Sequence, residues 1–396
     1  MQSPLSSSNK PRFSRTFLLI SLAAVCTLFA FSTTILPSTT TSSQSSLRRS
    51  LSSLKFRIAN NAADVTAPVQ YSDTAVYWHI HKAGGTSMKR YYSCLDMVLS
   101  SHVGITEGHE HDKYLQVWTN KDGYRYVNVD TTKEIGILRA KSLKLAERHL
   151  ADVVFVTYPA LTTHIFQQQF KGRFFTMFRH PIERTVSEFY YRQVANWEPV
   201  AGVFNPNLAQ QTIEEWLRDA SNENEWNGDF MTAKLVGKAA VALTPDDLVM
   251  AKEFLRTKFL VGLVQRTEES VDRFDSYFGW AGKANREQCK AEYVRTPVNK
   301  NEHQAVENGS EAWNMLAAVN TYDLQLYAYA MQLFDEQAAM FPNLPKSIPI
   351  YQQPPPPPLP VEQQLPPVIP QEQPVGVSIP PPPPPVEQQV QQEPMT

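Results

Sequence analysis

Val76 to Ser87 reads Val-Tyr-Trp-His-Ile-His-Lys-Ala-Gly-Gly-Thr-Ser, and this order constrains the fold more than any other stretch of the chain. Val76 to Ile80 is β-branched and aromatic, as a strand requires. Gly84 and Gly85 then allow a turn whose N–H groups point inward, and Thr86 or Ser87 can cap a helix. Met88, Tyr91, Tyr92, Leu95 and Leu99 recur at three- and four-residue spacing, which predicts that helix and aims its N-terminus at whatever the turn holds. Strand, glycine turn and helix start together predict an anion site with Lys82 as countercharge; a plain strand-turn-helix with a surface lysine is the other reading of the same residues. A nucleoside-triphosphatase loop is excluded, because there the lysine follows the glycines and here it precedes them.

Charge divides the 396 residues into three blocks. Residues 1–63 carry seven Lys or Arg and no acid, residues 64–346 carry 30 basic and 35 acidic groups, and residues 347–396 carry four acids and no base. Only the middle block, about 280 residues, has the apolar content for a sizeable core. Phe17 to Leu36 is apolar and uncharged behind Lys10, Arg12 and Arg15, long enough for a bilayer core of about 30 Å. This predicts a cytosolic N-terminus at 1–16 and a signal-anchor helix at 17–36, with a cleaved signal or a transit peptide as alternatives. Residues 37–70 are then a Ser/Thr-rich stem. The last fifty residues hold 18 of the 30 prolines and predict a disordered tail over 347–396.

Within the middle block, strand-like runs at Arg125–Val129, Ile135–Leu138 and Asp152–Thr157 and a helix at Lys141–Leu150 indicate an α/β fold with a mostly parallel sheet. Gly108-His109-Glu110-His111 lacks cysteine partners and a His-Glu-x-x-His helix, so it reads as a solvent loop and no metal is expected. A second strand-to-helix junction lies at Arg173–Tyr191. Phe174–Phe178 predicts a buried strand, Pro181 a helix start, and Val186, Phe189 and Tyr190 its apolar face. Arg179 at the strand end suits a phosphate, since a guanidinium can bond two oxygens at once.

The first junction resembles the 5′-phosphosulfate loop of the membrane-bound carbohydrate sulfotransferases, close to His-Ile-Pro-Lys-Thr-Gly-Gly-Thr-Ser. It matches at His79, Ile80, Lys82, Gly84, Gly85, Thr86 and Ser87; His81 stands where the family has proline and Ala83 where it has threonine. The second resembles that family's 3′-phosphate element through Arg179, Pro181, Arg184 and Ser187, with His180 in place of aspartate. Asn227–Gly237, Phe259–Trp280 and Thr321–Phe334 are similar to later segments, so the resemblance spans about residues 71 to 340 and points to the heparan sulfate 2-O/6-O-sulfotransferase-like group.

That resemblance implies a P-loop-like central parallel sheet flanked by helices in one catalytic domain at 71–346. It implies transfer of a sulfonyl group from 3′-phosphoadenosine 5′-phosphosulfate to a glycan hydroxyl, in the Golgi lumen of a single-pass type II membrane protein. Residues 82–87 (Lys82, Ala83, Gly84, Gly85, Thr86, Ser87) would hold the donor together with Arg179 and Ser187. Lys82 would act on the leaving group. The histidine expected after the Asp152–Thr157 strand is absent, which leaves His164 as the nearest general base and His81 as its rival; His180 would replace a structural aspartate. A lumenal domain would permit a Cys94–Cys289 disulfide and use of the Asn308-Gly309-Ser310 sequon. The middle block is net acidic, so any basic groove, for instance around Arg295–Lys300, must be local; nucleic acid is not an expected partner. A donor-binding protein without transfer and a kinase-like phosphotransferase are the competing functions, the second opposed by the loop order and the lack of a Mg²⁺ carboxylate.

Overall fold

The computed structural model describes residues 52–198, 203–219, 228–296 and 304–345. The expected membrane span, the first part of the stem (37–51) and the proline-rich tail lie outside these residues. Among the described residues no helix is long and apolar enough to cross a membrane.

The elements run α1 (52–61), β1 (Thr74–Trp78), α2 (Gly85–Cys94), β2 (Leu99–Ser100), β3 (Val117–Thr119), β4 (Arg125–Val127), α3 (Glu134–Ser142), α4 (Leu145–Arg148) and β5 (Val153–Val156). They continue through α5 (Pro159–Thr162), β6 (Gly172–Phe178), α6 (Pro181–Val194), α7 (Ile213–Arg218), α8 (Phe230–Val236), α9 (Pro245–Lys258) and β7 (Phe259–Leu263). Helices α10 (Thr267–Phe278), α11 (Arg286–Lys290), α12 (Glu311–Val319) and α13 (Thr321–Gln337) close the domain. The seven strands form one sheet in the order β3-β4-β2-β5-β1-β6-β7. Every pairing is parallel except β3 with β4 at the edge. The fold is thus a mixed α/β domain with a mostly parallel central sheet flanked by helices, as expected from the alternating pattern.

Strands β1, β5, β6 and β7 are buried throughout, as a sheet covered on both faces demands. The period of two sorts their aromatics. Tyr77 sits in register with Phe155 and Phe175 on one face, ring centroids 4.9 and 5.2 Å away. That row packs under Met88, Tyr91 and Tyr92 of α2. On the other face Trp78 meets Phe178 and Phe259, each at 5.8 Å. Cys94 at the end of α2 is bonded to Cys289 of α11, across 195 residues of sequence.

Several expectations change. The strand expected at Ile135–Leu138 is helix α3: Ile137 and Ala140 face inward while Ile135 and Leu138 face solvent, a three-residue spacing that an apolar run conceals. The helix expected over Lys141–Leu150 is broken by Lys144 and His149, both left-handed (φ 59° and 49°). Leu99 does not continue α2. That helix stops at Cys94, Asp96 turns the chain at φ 56°, and Leu99 joins the sheet opposite Val153 and Tyr126. The stem also ends earlier than residue 70. Leu54, Ile58, Ala62 and Val65 are buried against the domain, and Val65 N donates to Thr257 O (2.9 Å) while Lys258 Nζ bonds Ala62 O and Asp64 (3.1 and 2.5 Å). Leu54 and Ile58 at four-residue spacing were the sequence signal, masked by the serines before them.

Candidate active site

The chemistry-bearing loops gather at the carboxyl ends of β1, β5 and β6, where ligands of open α/β sheets bind. After β1 the chain is held by His79 N donating to Val156 O (2.8 Å), then turns through Lys82 and Gly84, both left-handed (φ 63° and 79°). A lysine in that region is strained. Gly84 is the N-cap of α2 and no side chain caps the helix, so the expected cap at Thr86 or Ser87 gives way to an earlier start at Gly85. The first cap bond runs from Met88 N to Gly84 O (3.1 Å), which leaves the N–H groups of Gly85, Thr86 and Ser87 as the open donors of the helix end.

Gly85 is required for a reason other than its φ. A Cβ there would lie 2.0 Å from Nε2 of His79. Gly85→Ala is therefore expected to displace the His79 ring and destabilise the fold by at least about 1 kcal/mol, the lower end of an overpacking penalty. Thermal unfolding checks this, with a fall in Tm of at least about 2 °C expected in the variant.

Lys82 and Arg179, 97 residues apart, meet here: Arg179 Nη1 donates to the Lys82 carbonyl at 3.2 Å, and its Nε pairs with Glu183 at 3.5 Å. The Lys82 ammonium sits 3.4 Å from the centroid of the Tyr191 ring, a cation–π contact. Burial pushes its pKa down to about 8; Glu188 and Glu198 oppose the shift and Arg179 adds to it. Arg184, Ser187, Glu188 and Tyr191 lie at three- and four-residue spacing on α6, so one stripe of that helix borders the loop. Ser187 is half-buried there, whereas Arg184 is fully buried with its guanidinium 5.0 Å from the Phe230 ring. Glu188 is buried too, and burial raises its carboxyl against the pull of Lys82 and Arg184.

The histidines separate. His79 and His81 stack at 5.0 Å with an interplanar angle of 16°, and His81 also meets Phe230 edge-on at 6.1 Å. Lys89 of α2 donates to Nδ1 of His102 at 2.9 Å. His164 follows α5, and the charges that bear on it are Arg57 and Lys141 rather than the Lys82 group. His180 lies between Trp313 (5.4 Å, stacked) and Tyr327 (5.3 Å, edge-on), an aromatic slot rather than an aspartate's place. His109 stacks on Trp118 and bonds Asp112 (2.8 Å), which fixes the Gly-His-Glu-His loop. Arg295 pairs with Glu268 and Glu287, and the loop from residue 297 lies outside the described residues.

Sequence reasoning missed Lys89, Lys234, Glu188 and the burial of Arg184. Lys234 is buried on α8 with its ammonium 4.3 Å from the Tyr158 ring and 5.5 Å from that of Phe230. No motif spacing announces these residues, because three separate elements, α2, α6 and α8, bring them together.

Among solved structures the chain is similar to the sulfotransferase from Alicyclobacillus acidocaldarius, with TM-score 0.30 and 14% identity over 69% of this chain and 97% of that one. It is also similar to mouse sulfotransferase SULT7A1 complexed with PAP, with TM-score 0.32 and 11% identity over 73% and 88%. No protein-family model and no curated protein matches it. Likeness of this degree assigns no activity, so the chemistry rests on the residues themselves.

Those residues suit a polyanion. Lys82, Arg179 and three helix-end N–H groups converge on one mouth, and Gly84 leaves space, with no atom within 4 Å of where its Cβ would stand. A cation held partly out of water at lowered pKa gains most when an anion arrives, because the anion restores the charge that burial penalises. Among the described residues no group of three or more His, Cys, Asp or Glu is placed to hold a metal ion.

Proposed function

We propose that the protein transfers a sulfonyl group from 3′-phosphoadenosine 5′-phosphosulfate to a hydroxyl of a glycan or glycoconjugate. The observation that supports this reading is the junction of Lys82 with Arg179 beside the uncapped start of α2, which would bring the 5′ and 3′ halves of a divided nucleotide site together. When bound, the donor supplies a sulfonyl group on a phosphosulfate anhydride. Lys82 neutralises the charge that grows on the bridging oxygen as the phosphate leaves, helped by the N–H groups of Gly85, Thr86 and Ser87. Arg179 and the hydroxyl of Ser187 hold the 3′-phosphate, so that the sulfur faces the acceptor. Transfer of ³⁵S from labelled donor to a broad glycan panel tests the reading; donor binding with no transfer to any hydroxyl would overturn it.

The same reading places the domain in the Golgi lumen behind a signal-anchor. Two observations support that setting. The Cys94–Cys289 disulfide belongs to an oxidising compartment, and Asn308 of the sequon is exposed just before α12. Full-length protein expressed in animal cells is expected to lose one glycan-dependent mobility step in Asn308→Gln; an unchanged mobility that also resists glycosidase would remove the lumenal assignment.

A further inference from the structure

We propose that Trp197 is the platform on which a sugar ring of the acceptor stacks, so that the acceptor must present a pyranose with an apolar C–H face beside the hydroxyl that is sulfated. The inference rests on the sulfotransferase reading and deepens it, because it names what the acceptor side of the same site recognises.

Trp197 keeps 64% of its surface in water, although the main chain around it is fixed. Ala195 is fully buried and its N–H donates to Tyr191 O (3.0 Å), Asn196 N donates to Val194 O (2.8 Å), and Glu198 N donates to Ala195 O (3.1 Å). The side chain is held as well. Its ring meets the Tyr191 ring edge-on at 6.1 Å and 73°, and its indole N–H faces the Tyr191 hydroxyl, which donates to Glu198. Single exposed aromatics are ordinary on a protein surface. An indole already fixed in place, with its surface still open, differs from them because a ligand that lands on it costs little further ordering.

Tyr191 ties this indole to the chemistry. The Lys82 ammonium lies 3.4 Å from the Tyr191 centroid, so Trp197 stands one aromatic ring away from the group that meets the leaving oxygen. The Glu198 carboxylate bears on both Lys82 and Lys89, which links the same segment to the donor loop and to α2. Phe56, Tyr71 and Tyr114 are exposed as well, but their partners are Asn60, His149 and Asn128, none of them in the donor loop.

Helix α6 sets the order of the two substrates. In the sulfotransferase reading Arg179, just before the helix, and Ser187, in its second turn, hold the 3′-phosphate. Tyr191 marks the level of Lys82 and the phosphosulfate, about 6 Å further along the axis. Trp197 follows the end of α6, beyond that level. It therefore lies past the sulfonyl end of the donor, on the side from which an attacking oxygen must come to be in line with the bond that breaks.

An indole face suits a sugar for a simple reason. The axial hydrogens of a pyranose make one face of the ring apolar, while its hydroxyls radiate from the edge. Stacked on Trp197, the C–H face leaves water and the hydroxyls stay hydrated, so apolar surface is buried without stranding a hydrogen bond.

The test uses the full-length chain and, as acceptor, the glycan that takes most ³⁵S from labelled donor in the panel. Trp197→Ala is expected to raise KM for that glycan at least about tenfold, the scale of truncating an aromatic anchor. Its kcat and its affinity for adenosine 3′,5′-bisphosphate are expected to stay within about threefold of the unmodified chain, as loss of uniform binding requires. Trp197→Phe keeps an aromatic face, and its KM is expected to stay within about threefold. A second measurement does not depend on the folding of Trp197→Ala: the glycan, added to the nucleotide-saturated unmodified chain, is expected to shift the tryptophan emission, and Trp197→Phe to abolish that shift. A KM within about threefold in folded Trp197→Ala, or an emission shift that survives in Trp197→Phe, overturns the proposal. Nucleotide affinity lowered at least about tenfold in Trp197→Ala also overturns it and makes the donor's adenine the occupant. Failure of the unmodified chain to transfer to any glycan is a different result, since it removes the sulfotransferase reading itself.

Discussion

Lys82→Ala is expected to lower sulfonyl transfer by about 10² to 10³-fold, the scale on which single groups that neutralise developing charge act. The loss should appear in kcat more than in KM, because the charge on the bridging oxygen is largest in the transition state. Stability should not fall with it. The side chain surrenders a cation–π contact with Tyr191, but it also ceases to hold a positive charge partly out of water. The pH dependence adds an independent signature. Lys82 titrates at about 8 in the folded chain against an ordinary 10.5. As pH rises through about 8 the ammonium is lost, so kcat/KM and nucleotide affinity should decline on the alkaline side. Stability should move the opposite way: between about 8 and 10.5 the unfolded chain binds more protons than the folded one, and the folded state gains as pH rises. Lys89 shifts in the same direction to about 8 and reinforces that trend. Nucleotide affinity that stays flat from pH 7 to 10, together with full activity in Lys82→Ala, would exclude Lys82 from the site.

The second large effect is on stability, at Asp323→Ala. Asp229 and Asp323 cap each other's helices. Asp229 accepts from the N–H groups of Tyr322 and Asp323 at the start of α13 (2.7 and 2.8 Å). Asp323 accepts from Met231 N, Thr232 N and Thr232 Oγ1 at the start of α8 (2.8, 2.7 and 2.8 Å). Asp323 is fully buried, and burial pushes its carboxyl up against the lowering effect of those bonds and of Arg184. Removing the carboxylate strands two buried N–H groups and a hydroxyl, each costing about 1–3 kcal/mol. A total of at least about 3 kcal/mol corresponds to a fall in Tm of roughly 6–12 °C for a domain of this size. Because α8 carries Phe230 and Lys234 to the site, transfer should weaken while donor contacts on α6 persist. Asp323→Asn keeps the shape and one acceptor and should cost less. A Tm within about 2 °C of the unmodified chain in Asp323→Ala would show that the two helices do not depend on this cap.

The readable part of the protein is the part encoded locally. Buried strands, the glycine turn and the proline at the start of α6 are set by residues within about ten positions of one another, so β1, β5, β6 and both strand-to-helix junctions were legible. Errors fell where local pattern was ambiguous. Ile135–Leu138 is an apolar run too short to betray its period, and Leu99 fits both a helix face and a strand until the sheet claims it.

Sequence by itself determined that a glycine turn opening a helix and a guanidinium at a strand end exist, because short-range sterics and periodicity dictate those units. Only the tertiary structure decided that they meet. The parallel pairing of β1 with β6 brings Arg179 to the Lys82 carbonyl, the packing of α8 against α13 brings Lys234 toward His81, and the fold leaves His164 among other charges. Side-chain chemistry is a property of single residues. The burial and charge that set its pKa belong to neighbours far away in the chain, and no local pattern reports them.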